Sequence, residues 1–249
     1  EGEESLRDFL FYYLDRDYCD DEKCFYIKFE NISGIIWRKY LKPITLEALQ
    51  SYWFSLDFRS LQYEKFWEQT EALYIENVPF KFKAIRCIRL VTTTHCNFPC
   101  TYCSVSRVHY FASGQRVSPV SLTGKDVYEL LKKIKSEVPT VRTIYFCEDN
   151  FLFYRERFEE FYNLYMSSPL GLEFLIQTHS GSLSKDIVQK LSEISCRHIT
   201  VGVENASEEV RKSLKKPQNS QRIEDIIDWC KESNISPYYL IMLFPPEST

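Results

Sequence analysis

The sequence predicts an α/β fold built on a parallel sheet. Two observations carry that prediction. From about Ile85 onward, short apolar runs alternate with amphipathic helical patterns, and the runs are apolar almost throughout rather than at every second position. Strand–helix–strand repetition implies βα units, and right-handed crossovers leave either an open doubly wound sheet or a barrel. Near-continuous apolarity implies strands covered on both faces. In both architectures ligands gather at the C-terminal ends of the strands.

The first 80 residues read differently from the rest. Leu6, Phe9, Leu10 and Tyr13 mark a helix, and "CFYIKFE" places Phe25, Ile27 and Phe29 on one face of a half-exposed strand. Pro43 and Thr45 open a further helical stretch rich in Trp53, Phe54, Phe66 and Trp67. Residues 1–80 are expected to form a small α+β appendage or the remnant of a preceding domain, with the main domain over 81–249. The strands expected in the main domain are Cys87–Val91, Thr143–Cys147, Glu173–Gln177, His198–Val203 and Tyr238–Phe244. Between the first two, Val127, Leu130, Leu131, Ile134 and Val138 recur at helical spacing. Ile187, Val188, Leu191 and Ile194 do the same after the third strand, and Ile223, Ile226, Ile227 and Cys230 after the fourth. Ser184 and Ser207 stand at N-cap positions, the latter before Glu208 and Glu209, whose charge favours a helix start.

Composition narrows the class. With 44% hydrophobic and 27% charged residues the chain reads as a soluble globular protein, and its net charge of −4 offers no nucleic-acid surface. No apolar run approaches the roughly 20 residues that cross a bilayer. The nine cysteines, an odd number without an export leader, argue against a disulfide framework and for a reducing, cytoplasmic compartment. Six of them (Cys19, Cys24, Cys87, Cys147, Cys196 and Cys230) are scattered and are expected to be buried free thiols. The chain starts at Glu1 without methionine and closes at "LFPPEST" directly after a strand, so a piece of a longer protein is expected.

The chemistry concentrates in "CNFPCTYC", Cys96 to Cys103, which follows the first strand through "TTTH". Thiolates bind soft metals and iron–sulfur clusters. A loop this short can wrap three sulfurs around one cubane, each on a different iron, and leave the fourth iron for a non-protein ligand. Zinc is the alternative and needs a fourth protein ligand. His95 is a poor one because neighbouring side chains diverge; His109 and His179 are the others at hand.

With its aromatic Tyr102 just before the last cysteine, this loop resembles the cluster loop of the radical S-adenosylmethionine (SAM) superfamily. The resemblance runs from about Ile85 to the end. It implies a partial parallel (βα)6-type, TIM-like barrel, here truncated after the fifth strand. It also implies a [4Fe–4S] cluster on Cys96, Cys100 and Cys103, with SAM chelating the open iron. One electron from the cluster would then split SAM into methionine and a deoxyadenosyl radical that abstracts hydrogen from substrate. An electron donor such as flavodoxin or ferredoxin follows from that chemistry.

Where many members carry a glycine-rich turn after the second strand, this chain has "CEDNF", similar to the acidic turn of the cobalamin-associated branch. Glu148, Asp149 and Asn150 are the candidates to meet the SAM amino group, Asp149 first. Cobalamin itself would reside on a domain outside this chain. After the fourth strand, Glu204 is the candidate for the SAM ribose hydroxyls, with Asn205 assisting and Gly202 permitting close approach. Tyr102 would neighbour the adenine. "RKSLKKPQN" resembles the family's "lnK" segment; the alternative reads Lys215 and Lys216 as a solvated helix end, and Pro217 helps to stop that helix. In "IMLFPPEST", Leu243 and Pro246 replace the family's glycines, leaving that strand's backbone as the adenine contact. Gln177, Thr178 and His179 point toward the barrel mouth, and His198 reads as structural.

Radical methylation or rearrangement is the activity this branch implies. A methylthiotransferase acting on tRNA or protein is an alternative. It is weakened because Cys19, Cys24 and Cys87 lack the arrangement of that group's extra cysteine domain. A non-catalytic zinc or iron–sulfur module is the other. The substrate is not legible, since fold and cluster are shared among many reactions.

Overall fold

The computed structural model describes residues 44–77, 86–96, 98–105, 118–216 and 218–243. The helix and strand expected before Pro43 lie outside these residues, as do Cys19, Cys24, His109, Pro217 and the turn after Leu243.

Thr45 opens α1 (Leu46–Ser55), its hydroxyl accepting from the Ala48 N–H at 3.2 Å. The single helical stretch expected here is two helices. Asp57 caps a 3₁₀ turn, Phe58–Leu61, and Gln62 then adopts a positive φ of 49°, which redirects the chain into α2 (Tyr63–Asn77). Five strands follow in the order β1 (Cys87–Leu90), β2 (Thr143–Phe146), β3 (Glu173–Thr178), β4 (Cys196–Glu204) and β5 (Ser236–Ile241). They form one parallel sheet in sequence order, each strand pairing with the next. The crossovers are α3 (Gly124–Glu137), α4 (Arg155–Ser167), α5 (Lys185–Glu193), and a pair, α6 (Glu208–Ser213) and α7 (Ser220–Glu232). Ser184 and Ser207 cap α5 and α6 as expected, accepting from Ile187 and Val210.

Helices cover one face of the sheet, where Ile88, Leu90, Ile144, Phe146, Phe174, Ile176, Ile199 and Val201 join the helices' apolar stripes in a single core. Leu49, Trp53, Phe58 and Trp67 belong to that same core, so α1 and α2 pack on the sheet domain. Trp53 also donates its indole N–H to the Val91 carbonyl at 3.0 Å, and the Phe58 N–H donates to Glu137 at 2.8 Å.

Among the described residues, elements cover only this one face of the strands. The opposite face carries Arg89, Tyr145, Gln177, His198 and Tyr238, and on β5 Tyr238, Leu240 and Ile241 are exposed. The tyrosines made these runs read as apolar, yet their hydroxyls and the interleaved polar residues belong to an open face. Cys196 and Cys230 are buried as expected, whereas Cys87 and Cys147 are only half-buried because they too lie toward that face.

Gly124 fixes how α3 meets α4. A Cβ there would sit 2.4 Å from the Arg157 carbonyl oxygen and 2.5 Å from the Phe161 nitrogen, both backbone atoms that cannot swing aside. Gly124→Ala is therefore expected to lower stability by roughly 1–3 kcal/mol through forced separation of the helices. Urea denaturation with an unchanged m-value checks this.

Candidate functional site

A parallel sheet brings the ends of all its strands to one edge, and the cysteine loop folds across that edge. The threonines after β1 build its entry. Thr94 N–H donates to the Val120 carbonyl at 2.9 Å, Leu122 N–H donates to the Thr92 carbonyl at 2.9 Å, and Thr93 bridges to Ser121. The chain thus leaves β1 as a braced extension, with His95 buried at its tip.

The acidic turn after β2 divides its three candidates sharply. Glu148 is buried and paired with Arg157 of α4, Nη1 to Oε2 at 3.1 Å and Nη2 to Oε1 at 3.2 Å, while the Thr92 N–H donates to Oε1 at 3.0 Å. Asn150 is buried as well. Its Oδ1 accepts from Thr178 Oγ1 at 2.7 Å and from the His179 N–H at 3.3 Å, and its Nδ2 donates to Ser182. Both are therefore committed to joining the β1, β2 and β3 ends. Asp149 alone projects, exposed beside the Cys96 backbone at the start of the cysteine loop. Crowding by the loop desolvates that carboxyl and raises its pKa, with neighbouring His95 opposing the shift.

Inside the cysteine loop, the Cys103 N–H donates to the Cys100 carbonyl at 3.2 Å, and the Thr101 N–H donates to the Leu214 carbonyl beyond α6 at 3.0 Å. Cys100 is buried, Cys96 and Cys103 are half-buried, and all three are free thiols. Burial pushes the Cys96 thiol up to about 11 and also raises that of Cys100, where Lys216 opposes the shift. Among the described residues, no group of three or more His, Cys, Asp and Glu side chains is gathered tightly enough to hold a metal ion. Phe98, between the first two cysteines, stacks on His179 with ring centres 4.2 Å apart and meets Phe153 edge-on. His179 accepts from the Gly181 N–H through Nδ1 at 2.9 Å. Burial first and Lys216 second lower its pKa to about 4, so the ring stacked on the loop is neutral.

β4 ends in the most polar corner. Glu204 adopts φ +68° and is buried, with Lys216 Nζ 2.6 Å from its Oε1. Lys216 is thus not a solvated helix end: it turns inward to neutralise Glu204, while Lys215 at φ +52° faces solvent. Gly202 makes room for that pair, since a Cβ would lie 2.3 Å from Glu204 Oε1 and 2.4 Å from Lys216 Nζ. Tyr102 is 41% exposed, and its hydroxyl neighbours the Glu204 carboxylate and the Cys100 sulfur. Burial and then Glu204 raise its pKa, so it remains a phenol and a donor. Asn205 accepts from the Ser207 N–H at 2.9 Å and reaches the Met242 carbonyl at 3.5 Å, so its amide shapes the turn.

The structure therefore brings Cys96, Cys100, Cys103, Tyr102, Asp149 and Glu204 to one rim. Sequence reasoning missed Arg157 and Arg211 and did not foresee that Lys216 pairs with Glu204. Arg211 is fully buried and donates to the carbonyls of Asn205, Ala206 and Gln218, tying the β4 exit to the start of α7. Arg157 had a signal, since it shares a helical stripe with Phe161 and Tyr165 at four-residue steps.

The fold is thus a parallel α/β sheet with a three-cysteine loop over its carboxyl edge. The model of the Radical SAM superfamily matches residues 90–249, and the chain belongs to that superfamily. [4Fe–4S] and SAM are the cofactors of the family. A search of curated sequences finds no match. Among solved structures, the chain is similar to the cobalamin-dependent SAM radical enzyme OxsB with aqua-cobalamin bound, at 15% identity and TM-score 0.67, over 98% of this chain and 33% of that one. It is also similar to the radical SAM methyltransferase TsrM from Kitasatospora setae, at 12% identity and TM-score 0.50, over 61% of this chain and 28% of that one. The chain thus spans about a third of the length of these proteins. Among the described residues no helix is long and apolar enough to cross a membrane.

Two outcomes follow for this rim. Glu148→Ala, which strands buried Arg157, is expected to cost about 3–5 kcal/mol, whereas Asp149→Asn changes stability by no more than about 0.5 kcal/mol; chemical denaturation of both variants separates them. The His179 ring is expected to titrate near 4, which NMR checks. Because the folded ring binds its proton more weakly than the unfolded one, stability falls as pH drops from about 6.5 toward that value. In Lys216→Met the His179 pKa rises but stays below the unperturbed range, burial being its larger cause.

Proposed function

We propose that this chain is the catalytic core of a radical SAM enzyme of the cobalamin-associated branch, holding its cluster on Cys96, Cys100 and Cys103. The observation that carries the reading is the seating of the cysteine loop. Asp149 stands beside its first residue, Phe98 stacks on His179, and Tyr102 neighbours Glu204, so the ends of β2, β3 and β4 all converge on it. The donor set fits the cofactor. Three thiolates can hold three corners of a cubane and leave the fourth iron for a non-protein ligand. Each thiol must lose its proton to bind iron, and a metal cluster supplies the positive charge that a buried thiolate otherwise lacks.

A [4Fe–4S] cluster, when bound, supplies the electron that splits SAM reductively. The residues of this chain do the binding and orienting. Asp149, the free carboxylate of its turn, accepts from the SAM amino group. Glu204 accepts from the ribose hydroxyls; a carboxylate has about four acceptor positions, so Lys216 and Tyr102 leave it capacity. Tyr102 offers its exposed ring to the adenine, and Phe98, Phe153 and neutral His179 shield the loop's sheet side from water. Asn205 positions Glu204 rather than touching SAM. The likeness to OxsB and TsrM supports pairing with a cobalamin module outside this chain, and hence radical methylation or rearrangement of a substrate, with a flavodoxin or ferredoxin as electron donor.

Anaerobic reconstitution tests this. The unsubstituted chain is expected to take up about four irons with matching sulfide and to form deoxyadenosine from SAM under reduction. Cys100→Ala should lose most of the iron, and Asp149→Asn should keep the iron but weaken SAM binding roughly tenfold, about 1.4 kcal/mol. One zinc per chain, with no iron uptake, contradicts the reading in favour of a regulatory zinc module.

A further inference from the structure

On the open face of the sheet, below the cysteine loop, the strands place Arg89 beside Tyr145, which stands beside Leu175; Gln177, two residues farther along β3, pairs with Thr200. The Arg89 guanidinium lies over the Tyr145 ring, 5.7 Å from its centre. Gln177 Nε2 donates to the Tyr145 hydroxyl oxygen, which leaves the phenol proton to be donated elsewhere. Among the described residues Arg89 enters no ion pair and makes no side-chain hydrogen bond, a state it shares with Arg142 and with Arg222 on the surface of α7, whereas the arginines at 59, 86, 155, 157, 197 and 211 each pair with a carboxylate. The acidic residue at the foot of this face, Glu173, is held by Arg197 at 2.9 Å. Arg89 is exposed, yet it projects from the middle of a strand rather than from a helix surface, where solvated arginines are ordinary.

We propose that Arg89 and Tyr145 form an anion-recognition site on the open face, which binds the carboxylate or phosphate group of the enzyme's substrate. A guanidinium offers a fork of N–H donors that matches either oxyanion bidentately, and its fixation over an aromatic ring reduces the entropy lost on binding. Tyr145 adds a donor from the neighbouring strand, and no described carboxylate competes at this level of the sheet. The site lies on the same face as Asp149 and His179 but nearer the amino ends of the strands. Tyr145 precedes Asp149 by four residues, on the order of 10 Å of chain. The anion would therefore anchor the substrate end remote from the cysteine loop and leave the other end to approach it, the arrangement by which remote binding positions a reacting group.

This inference rests on the open face being the substrate face of a radical SAM core, and its test is kept separate from that reading. The 249-residue chain is titrated, without metal, with inorganic phosphate and in a parallel arm with succinate, following the Arg89 Nε–H and Tyr145 ring signals by NMR. Saturable shifts of both residues are expected in at least one arm, and the stronger arm assigns phosphate or carboxylate. Arg89→Gln should weaken that affinity at least fivefold, Arg89→Lys should recover part of it, and Tyr145→Phe should weaken it less. Shifts that do not saturate, or the same affinity in Arg89→Gln and Arg89→Lys as in the unsubstituted chain, overturn the proposal. Iron uptake and SAM binding belong to the parent reading alone. Their failure beside a saturable, Arg89-dependent titration sinks that reading and leaves the anion site standing; the converse result does the opposite.

Discussion

A single buried contact, Lys216 on Glu204, holds the rim of this sheet in the form that the rest of the site requires. It lies over Gly202, where only a residue without a side chain leaves room. It closes the exit of β4, keeps Lys216 close enough to Cys100 and His179 to bias both, and presents Glu204 to Tyr102 from the cysteine loop. Burying an ammonium and a carboxylate together is weak evidence for net stability, because desolvation opposes their attraction. Its consequence is geometric: neither partner can leave without stranding the other, so the loop has one place to dock.

A second buried pair, Glu148 with Arg157, does the same work at the end of β2. It joins the threonine extension after β1 to the acidic turn and to α4, and in doing so it frees Asp149 to be the exposed acid. The two pairs flank the cysteine loop from opposite sides, with the Phe98–His179 stack between them. The thiols thus sit on a rigid, charge-balanced frame whose side chains are already neutral or neutralised, which is the environment a cofactor site needs if it is to be preorganised.

Much of the fold was legible because βα repetition and helical spacing survive in any parallel sheet. Val127 to Val138, Ile187 to Ile194, and the caps at Ser184 and Ser207 fell where local chemistry put them. The covering of the strands was misjudged for a local reason: Tyr145, Tyr238 and Tyr239 count as apolar in a run, but only Tyr239 packs on the core. The cysteine loop was legible because three thiols in eight residues have few uses. Asp149 ranked first in its turn on sequence grounds, but the burial of Glu148 and Asn150 was not legible, since it depends on Arg157 and Thr178, which the fold brings to that turn. Lys216 looked like solvent-facing charge because nothing local reveals that Glu204, with its positive φ, turns back to meet it.

The proposed function requires a three-thiolate site that leaves one coordination position for a small molecule. Mössbauer spectra of the 57Fe-reconstituted, oxygen-free protein with and without SAM test it most directly. One iron of the cluster is expected to change its isomer shift and quadrupole splitting when SAM is added, while the others stay fixed. Identical spectra in both samples, or a centre whose irons are all thiolate-capped, would contradict it.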